Sequence, residues 1–393
     1  MSIHSAAKLP RRLSNRFPTP PHYRLSYTMD QFFIQPVERK IASLCWWSQS
    51  SYSPDDLFFL TGTWDRGSHN ELALWKCPGP NVRTRQFEPN FKAHAVATIP
   101  HAGEVADVVQ AQDDMCVTAS SDGCLYVYKL TQDSASLKIP TALQPVRTLA
   151  APTTTFRSPR TALSVQPHKH RDPEVASVGE DGLLQLFLLD RGAPVDSIVA
   201  DCLPLYDVAW LSSSTLLTTS RGGQLKVFDR RTPSKSAAVV FIDPISPDAA
   251  VNCVAVHPSQ TSRLATGNEL GQVTTWDIRQ YTEPQSQTLA VHNAEINDLV
   301  FHPNRPFTIV TASEDSTCGV VDASAFTNYS RGPGAYSHDP FASSAPSSSF
   351  QVYNAPRKSN IYNRLPINCL DLHPQNGLLL AGSDSENLLF DIN

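Results

Sequence analysis

The chain has 393 residues, 41% of them apolar and 18% charged, with 31 prolines. That length and apolar share allow a substantial core, and the richness in Ser, Thr, Val and Pro favours short strands joined by many turns. The formal charge is −5, but residues 1–28 carry Lys8, Arg11, Arg12, Arg16 and Arg24 with no acid, leaving −10 on the rest, which argues against a general nucleic-acid surface there.

No apolar run approaches the roughly 18 residues of a membrane span, and the start lacks the apolar stretch of a secretory signal. The eight cysteines are scattered without a CxxC pair. Cys253 in VNCVAV and Cys369 in INCLDL sit in apolar runs, where a reduced thiol acts as a small hydrophobe.

In chain order, residues 1–28 read as a basic, disordered tail, too poor in apolar residues to fold alone. Its LPRRLSNR also has the look of an import signal, and its Arg/Ser content that of a mitochondrial presequence. Residues 29–393 read as one domain. DQFFIQPVERK (30–40) contains a short strand-like run.

A repeat then begins. LTGTWD (60–65) returns as VTASSD (117–122), ASVGED (176–181), LTTSRG (217–222), LATGNE (264–269), VTASED (310–315) and LLAGSD (379–384). Each copy is an apolar start, small residues and a polar turn. A second column follows it: Trp75, Tyr128, Phe187, Phe228, Trp276, Val321 and Phe390. A third precedes it, in alternating runs such as IASLCWW, VADVVQA, LYDVAWL and INDLVFHP. Alternation bounded by turns predicts at least three antiparallel strands per unit. Seven such units are expected to form an all-β, seven-bladed β-propeller. The last unit ends at FDIN with no fourth strand left to make, so the run at 30–40 is expected to close the ring.

Within this frame Asp65, Asp122, Asp181, Asp315 and Asp384 form a structural turn column, expected to accept backbone N–H bonds. The aromatics Trp75, Tyr128, Phe187, Phe228, Trp276 and Phe390 are expected to pack between strands. Residues 131–160 form a connector, and 325–364 a Ser/Pro-rich insertion between blades six and seven, with seven aromatics that could order against a partner.

Catalytic signals are absent from the sequence. HKH (168–170) lacks further ligands for a metal. His101 and His292 each precede an aspartate by six residues, Asp107 and Asp298, which marks a recurring structural position. No GxSxG elbow, GxGxxG or P-loop occurs. No catalytic residue, cofactor or metal is expected. FDRR (228–231) and WDIR (276–279) resemble the endings of WD-repeat substrate receptors of cullin ubiquitin ligases, in which Arg231 and Arg279 would contact the adaptor.

The chain as a whole resembles the small seven-bladed WD-repeat (WD40) nucleoporin of the Y-shaped outer-ring scaffold of the nuclear pore. FLTGTWDRGSHNELALW, SVGEDGLLQLF, GGQLKVFDRR, HPSQTSRLATGNELGQVTTWDIRQ, FHPNRPFTIVTASEDS and INCLDLHPQNGLLLAGSDSENLLF carry the likeness, from about Met29 to the end. The insertion before the last blade is similar to one in that family. The basic tail has no counterpart there, and blade six ends in VVDAS where the family has a tryptophan. The resemblance implies a non-catalytic scaffold subunit at the nuclear envelope, supporting protein and mRNA transport. Its implied partners are Y-complex nucleoporins, among them an α-solenoid subunit of the short arm. No small-molecule substrate, direct nucleic-acid contact or membrane insertion is implied.

Overall fold

A computed structural model describes residues 32–37, 39–48, 56–65, 69–79, 92–132, 140–150, 158–166, 173–232, 235–282, 284–323, 350–354 and 365–391. The basic tail, the HKH run and most of the insertion lie outside the described residues. Each alternating run of the sequence becomes a strand, and the strands form seven four-stranded antiparallel sheets.

Blade one comprises β2 (Ile41–Trp47), β3 (Asp56–Thr63), β4 (Asn70–Pro78) and β5 (His94–His101). Blade two is β6 (Val105–Gln112), β7 (Met115–Ser120), β8 (Leu125–Gln132) and β9 (Pro140–Leu149). Blade three is β10 (Arg160–Gln166), β11 (Glu174–Gly179), β12 (Leu183–Leu188) and β13 (Asp196–Val199). Blade four is β14 (Leu205–Trp210), β15 (Thr215–Ser220), β16 (Gln224–Asp229) and β17 (Val239–Ile242). Blade five is β18 (Val251–Val256), β19 (Arg263–Asn268), β20 (Gln272–Asp277) and β21 (Gln285–Ala290). Blade six is β22 (Ile296–Phe301), β23 (Thr308–Ser313), β24 (Thr317–Asp322) and β25 (Phe350–Asn354), the last drawn from the segment read as an insertion. Blade seven is β26 (Ile367–Leu372), β27 (Leu378–Ser383) and β28 (Glu386–Asp391), completed by β1 (Phe32–Pro36).

The closing strand is where the sequence placed it. β1 lies antiparallel to β28, with Phe32 opposite Phe390 and Pro36 opposite Glu386. Val37 N–H donates to the Ser385 carbonyl at 2.8 Å, and Lys40 Nζ lies 3.4 Å from Asp384. The innermost strands touch one another in sequence, and β2 touches β26, so the ring is complete.

The core is divided among the seams. Among the described residues seven apolar clusters occur, one between each pair of neighbouring blades. A sheet with two apolar faces cannot bury both alone, and stacking around an axis solves this at about 1.5–3 kcal/mol per large side chain buried. The second column of the sequence fills these seams towards the preceding blade: Trp75 towards blade seven, Tyr128 towards blade one, Phe187 towards blade two. Phe228, Trp276 and Phe390 continue the pattern. In blade six the place is held by Val321.

Candidate functional site

Polar side chains collect in two places, the tight turns after each second strand and the hub where innermost strands meet. In blade six Asp315 accepts the Thr317 N–H at 3.0 Å and the Asn293 N–H at 3.0 Å, and its Oδ2 lies 3.1 Å from His292 Nδ1. His292 Nε2 reaches Thr311 Oγ1 at 2.7 Å. Burial pushes the Asp315 carboxyl up, but hydrogen bonds from His292 and Thr317 outweigh it and hold it at about 2. Blade two varies the scheme. Asp122 accepts the Cys124 N–H at 2.8 Å and the Tyr126 hydroxyl at 2.5 Å, while His101 bonds to Thr118 and the Gly103 carbonyl. Gly123 and Gly182, next to the turn aspartates, have φ of 83° and 72°, which only glycine adopts without strain.

In blade three Asp181 accepts the Leu183 N–H at 3.0 Å and also takes both oxygens' worth of Arg160 Nη2, at 2.6 and 2.5 Å. The Arg160 side chain is 3% exposed and that of Asp181 27%, so a buried guanidinium meets a partly exposed carboxylate. Burial pulls the guanidinium down, and Asp181 opposes it.

The turns of blades one and seven differ from the expected column. Asp65 donates its N–H to Asn70 Oδ1 at 2.7 Å, so the asparagine side chain closes that longer turn. In blade seven Ser383 Oγ accepts the Glu386 N–H at 3.1 Å, while Asp384 accepts from Asn368 Nδ2 at 3.1 Å. Sequence reasoning also passed over two aspartates. Blades four and five lack a turn aspartate; buried Asp201 passes over the turn glycine as His292 does elsewhere, while buried Asp243 reaches blade five from four residues before the equivalent position, Pro247. Asp201 meets Lys226 Nζ at 2.9 Å, and Asp243 accepts from Thr274 Oγ1 at 2.7 Å. The signal for Asp201 was in the alignment of blade starts, DCLPL against HAGEV and HNAEI.

Of the aromatic column, Trp75 donates its indole N–H to Thr61 and Trp276 to Thr266, at 2.9 and 3.0 Å. Tyr128, Phe187, Phe228 and Phe390 are buried.

At the hub all seven innermost strands slip register after their first residue, a repeated β-bulge. Behind it Asp107, Asp207 and Asp298 each accept the N–H of the next residue and that of the following blade. The cross-blade donors are Leu163 at 2.7 Å, Val254 at 2.8 Å and Leu370 at 2.9 Å. Asp371 does the same for Trp46 at 2.8 Å. These carboxylates are part-buried among N–H donors, and among the described residues no cation pairs with them. Burial pushes Asp107 and Asp371 up to about 6 and Asp207 to about 7. Asp298 is raised well above its ordinary value by burial, with Asp207 and Asp107 adding to it.

Arg231 and Arg279 lie at the same place in blades four and five. Each forks onto the aspartate two residues earlier, Arg231 Nη2 to Asp229 at 2.6 Å and Arg279 Nη2 to Asp277 at 2.7 Å. Arg231 is 74% and Arg279 56% exposed, so both reach solvent already paired.

Residues 283–322 match the family described as WD domain, G-beta repeat. The match spans the outer strand of blade five and three strands of blade six, so the sequence repeat is offset from the blade by one strand. The same offset makes β1 the outer strand of blade seven. Nucleoporin Nup43 of Homo sapiens is 30% identical over 303 residues, 75% of this chain and 77% of that protein. Nucleoporin Nup43 of Mus musculus matches to the same extent. Nuclear pore complex protein nup43 of Dictyostelium discoideum is 28% identical over 144 residues, 36% of this chain and 33% of its own. On that identity and coverage, the chain belongs to the Nup43 family of WD-repeat nucleoporins.

Proposed function

We propose that this chain is a non-catalytic scaffold subunit of the nuclear pore complex at the nuclear envelope, seated in the Y-shaped outer ring on an α-solenoid nucleoporin of the short arm. The observation that carries the reading is the similarity to human and mouse Nup43 across three quarters of the chain, on a ring closed by its own ends. A closed ring suits the role. It needs no blade from a partner to be stable, and it presents turns and outer strands of fixed geometry for docking.

The polar groups described above are spent on turns and seams, which agrees with a subunit that works by shape. Transport of protein and mRNA then depends on it through the pore it helps to build. The test is a C-terminal tag in the protein's own cells, gentle purification at moderate salt, and identification of what co-purifies. Several outer-ring nucleoporins in near-equal amounts are expected. A ligase adaptor and cullin without nucleoporins would overturn the reading and make Arg231 and Arg279 the functional residues.

A further inference from the structure

A cleft of about 450 Å³ opens between blades five and six. Phe301 and Ala323, both buried, form its blade-six wall, with Phe307 at the rim. Blade five contributes Arg263, Thr275 and Gln287. His257 packs edge-on to Phe301 at 5.3 Å between centroids. Its Nδ1 accepts the N–H groups of Ser259 and Gln260 at 3.2 and 3.1 Å, which fixes the remaining proton on Nε2. That Nε2 is buried and has no acceptor among the described residues. A buried donor left open asks for an explanation, and an occupant carrying an oxygen supplies one.

The outer border of the cleft is β21, the last strand of its sheet. Thr275 Oγ1 donates to the Gln287 carbonyl across the β20–β21 ladder, so Gln287 turns its backbone inwards. By the alternation of a strand, Ser286 and Thr288 turn theirs outwards. Exposed edges are commonly blunted by proline, charge or brevity. β5 and β9 contain Pro100 and Pro145, β1 ends in Pro36, β13 starts at Asp196, and β13 and β17 have four residues each. β21 reads QSQTLA, six residues with neither proline nor charge, and β25, FQVYN, lacks both over five. Arg263, 19% exposed, lies over the Phe307 ring at 6.0 Å and is only loosely paired. Asp277 gives its short contacts to Arg279, at 2.9 and 2.7 Å, and leaves Arg263 at 3.9 Å.

We propose that this cleft and the edge of β21 form a docking site for an extended acidic segment of a partner protein. The segment pairs with β21 as a fifth strand, sets an apolar side chain against Phe301 and Phe307, and brings a carboxylate to Arg263. The site goes beyond the nuclear pore reading and needs no family argument.

The test pans a phage-displayed random heptapeptide library on the purified full chain and measures the selected peptides by fluorescence anisotropy. Enriched sequences are expected to place Asp or Glu within two positions of an apolar residue. Their affinity should fall at least tenfold with Ser286→Pro, which removes an outward N–H, and with Arg263→Glu. Thr275→Tyr fills the cleft and leaves the edge intact, so it decides the matter if either other variant unfolds, and it should also cost at least tenfold. Lys235→Glu, on blade four, should change nothing. No enrichment, enrichment without an acid, or affinity indifferent to these variants would overturn the proposal. So would a concentration-dependent dimer of the chain that Ser286→Pro abolishes, because the edge would then serve a second copy.

Discussion

The seams between blades one and two and between blades five and six occupy the same position in the repeat and end differently. Register equates Phe59–Trp75 in blade one with Leu264–Trp276 in blade five. The neighbours that face the next blade are therefore Phe58 and Leu74 in one case and Arg263 and Thr275 in the other. From the far side blade two offers Tyr128, where blade six offers Val321. The first seam is filled out to its rim, with Leu130 and Leu143 buried and the outer strands β5 and β9 in contact. The second is apolar near the hub and then opens into the cleft. At the hub the two are alike, bridged by a neutral side chain: Ser43 Oγ to the Val105 carbonyl, and Asn252 Nδ2 to the Ile296 carbonyl. The hub closes the ring, and what stands farther out decides whether a seam is sealed or left for a partner.

The largest expected effect tests whether the turns, common to sealed and open seams alike, outweigh the rim. Asp181→Ala leaves the buried Arg160 guanidinium with Gln185 but no counter-charge, and an uncompensated buried charge costs about 3–5 kcal/mol. Urea denaturation should show it as a lower midpoint with unchanged slope. An unchanged midpoint would mean that Arg160 finds another partner, and the scale of the comparison would collapse.

Next come the matched positions. Leu74→Ala in the sealed seam empties a fully buried site and should cost about 2–5 kcal/mol. Thr275→Ala, its equivalent in the open seam, loses one hydrogen bond and should cost about 1 kcal/mol or less. Equal losses in the same melt would show that the five–six seam is packed after all.

A smaller, pH-dependent effect separates hub from rim. Asp207 sits at about 7 in the folded protein against an ordinary 3.8, so the folded state holds the proton more tightly than the unfolded one. Its contribution is therefore favourable at low pH and is lost as pH rises from about 4 through about 7. Buried His101, His257 and His373, whose values burial lowers, pull the opposite way, so the informative quantity is a difference. Asp207→Asn should gain stability relative to the native chain between pH 5 and pH 8. A constant difference across that range would mean that Asp207 does not titrate there.

The smallest effect is expected at Arg231 and Arg279, exposed and paired locally, where solvent screens the ion pair. The double alanine variant should keep its melting temperature and its position at the nuclear rim. Loss of rim signal with an intact fold would assign these residues a partner.

The sequence by itself determined the blade count, because the strand–turn–strand pattern recurs seven times and repetition lifts a weak signal above chance. It also placed the closing strand, because the last repeat is one strand short. Outer strands such as DSIV and QSQTLA were less legible, since half-exposed edges carry little alternation. Only the tertiary structure decided which side chains meet across a seam. Asp107 bonds to Leu163 across 56 residues, Asp298 to Leu370 across 72, and Asp371 to Trp46 across 325. The same holds for Asp201 standing where other blades have histidine, and for the cleft between blades five and six. Such pairings depend on the rotation from blade to blade, which brings together positions that no local pattern links.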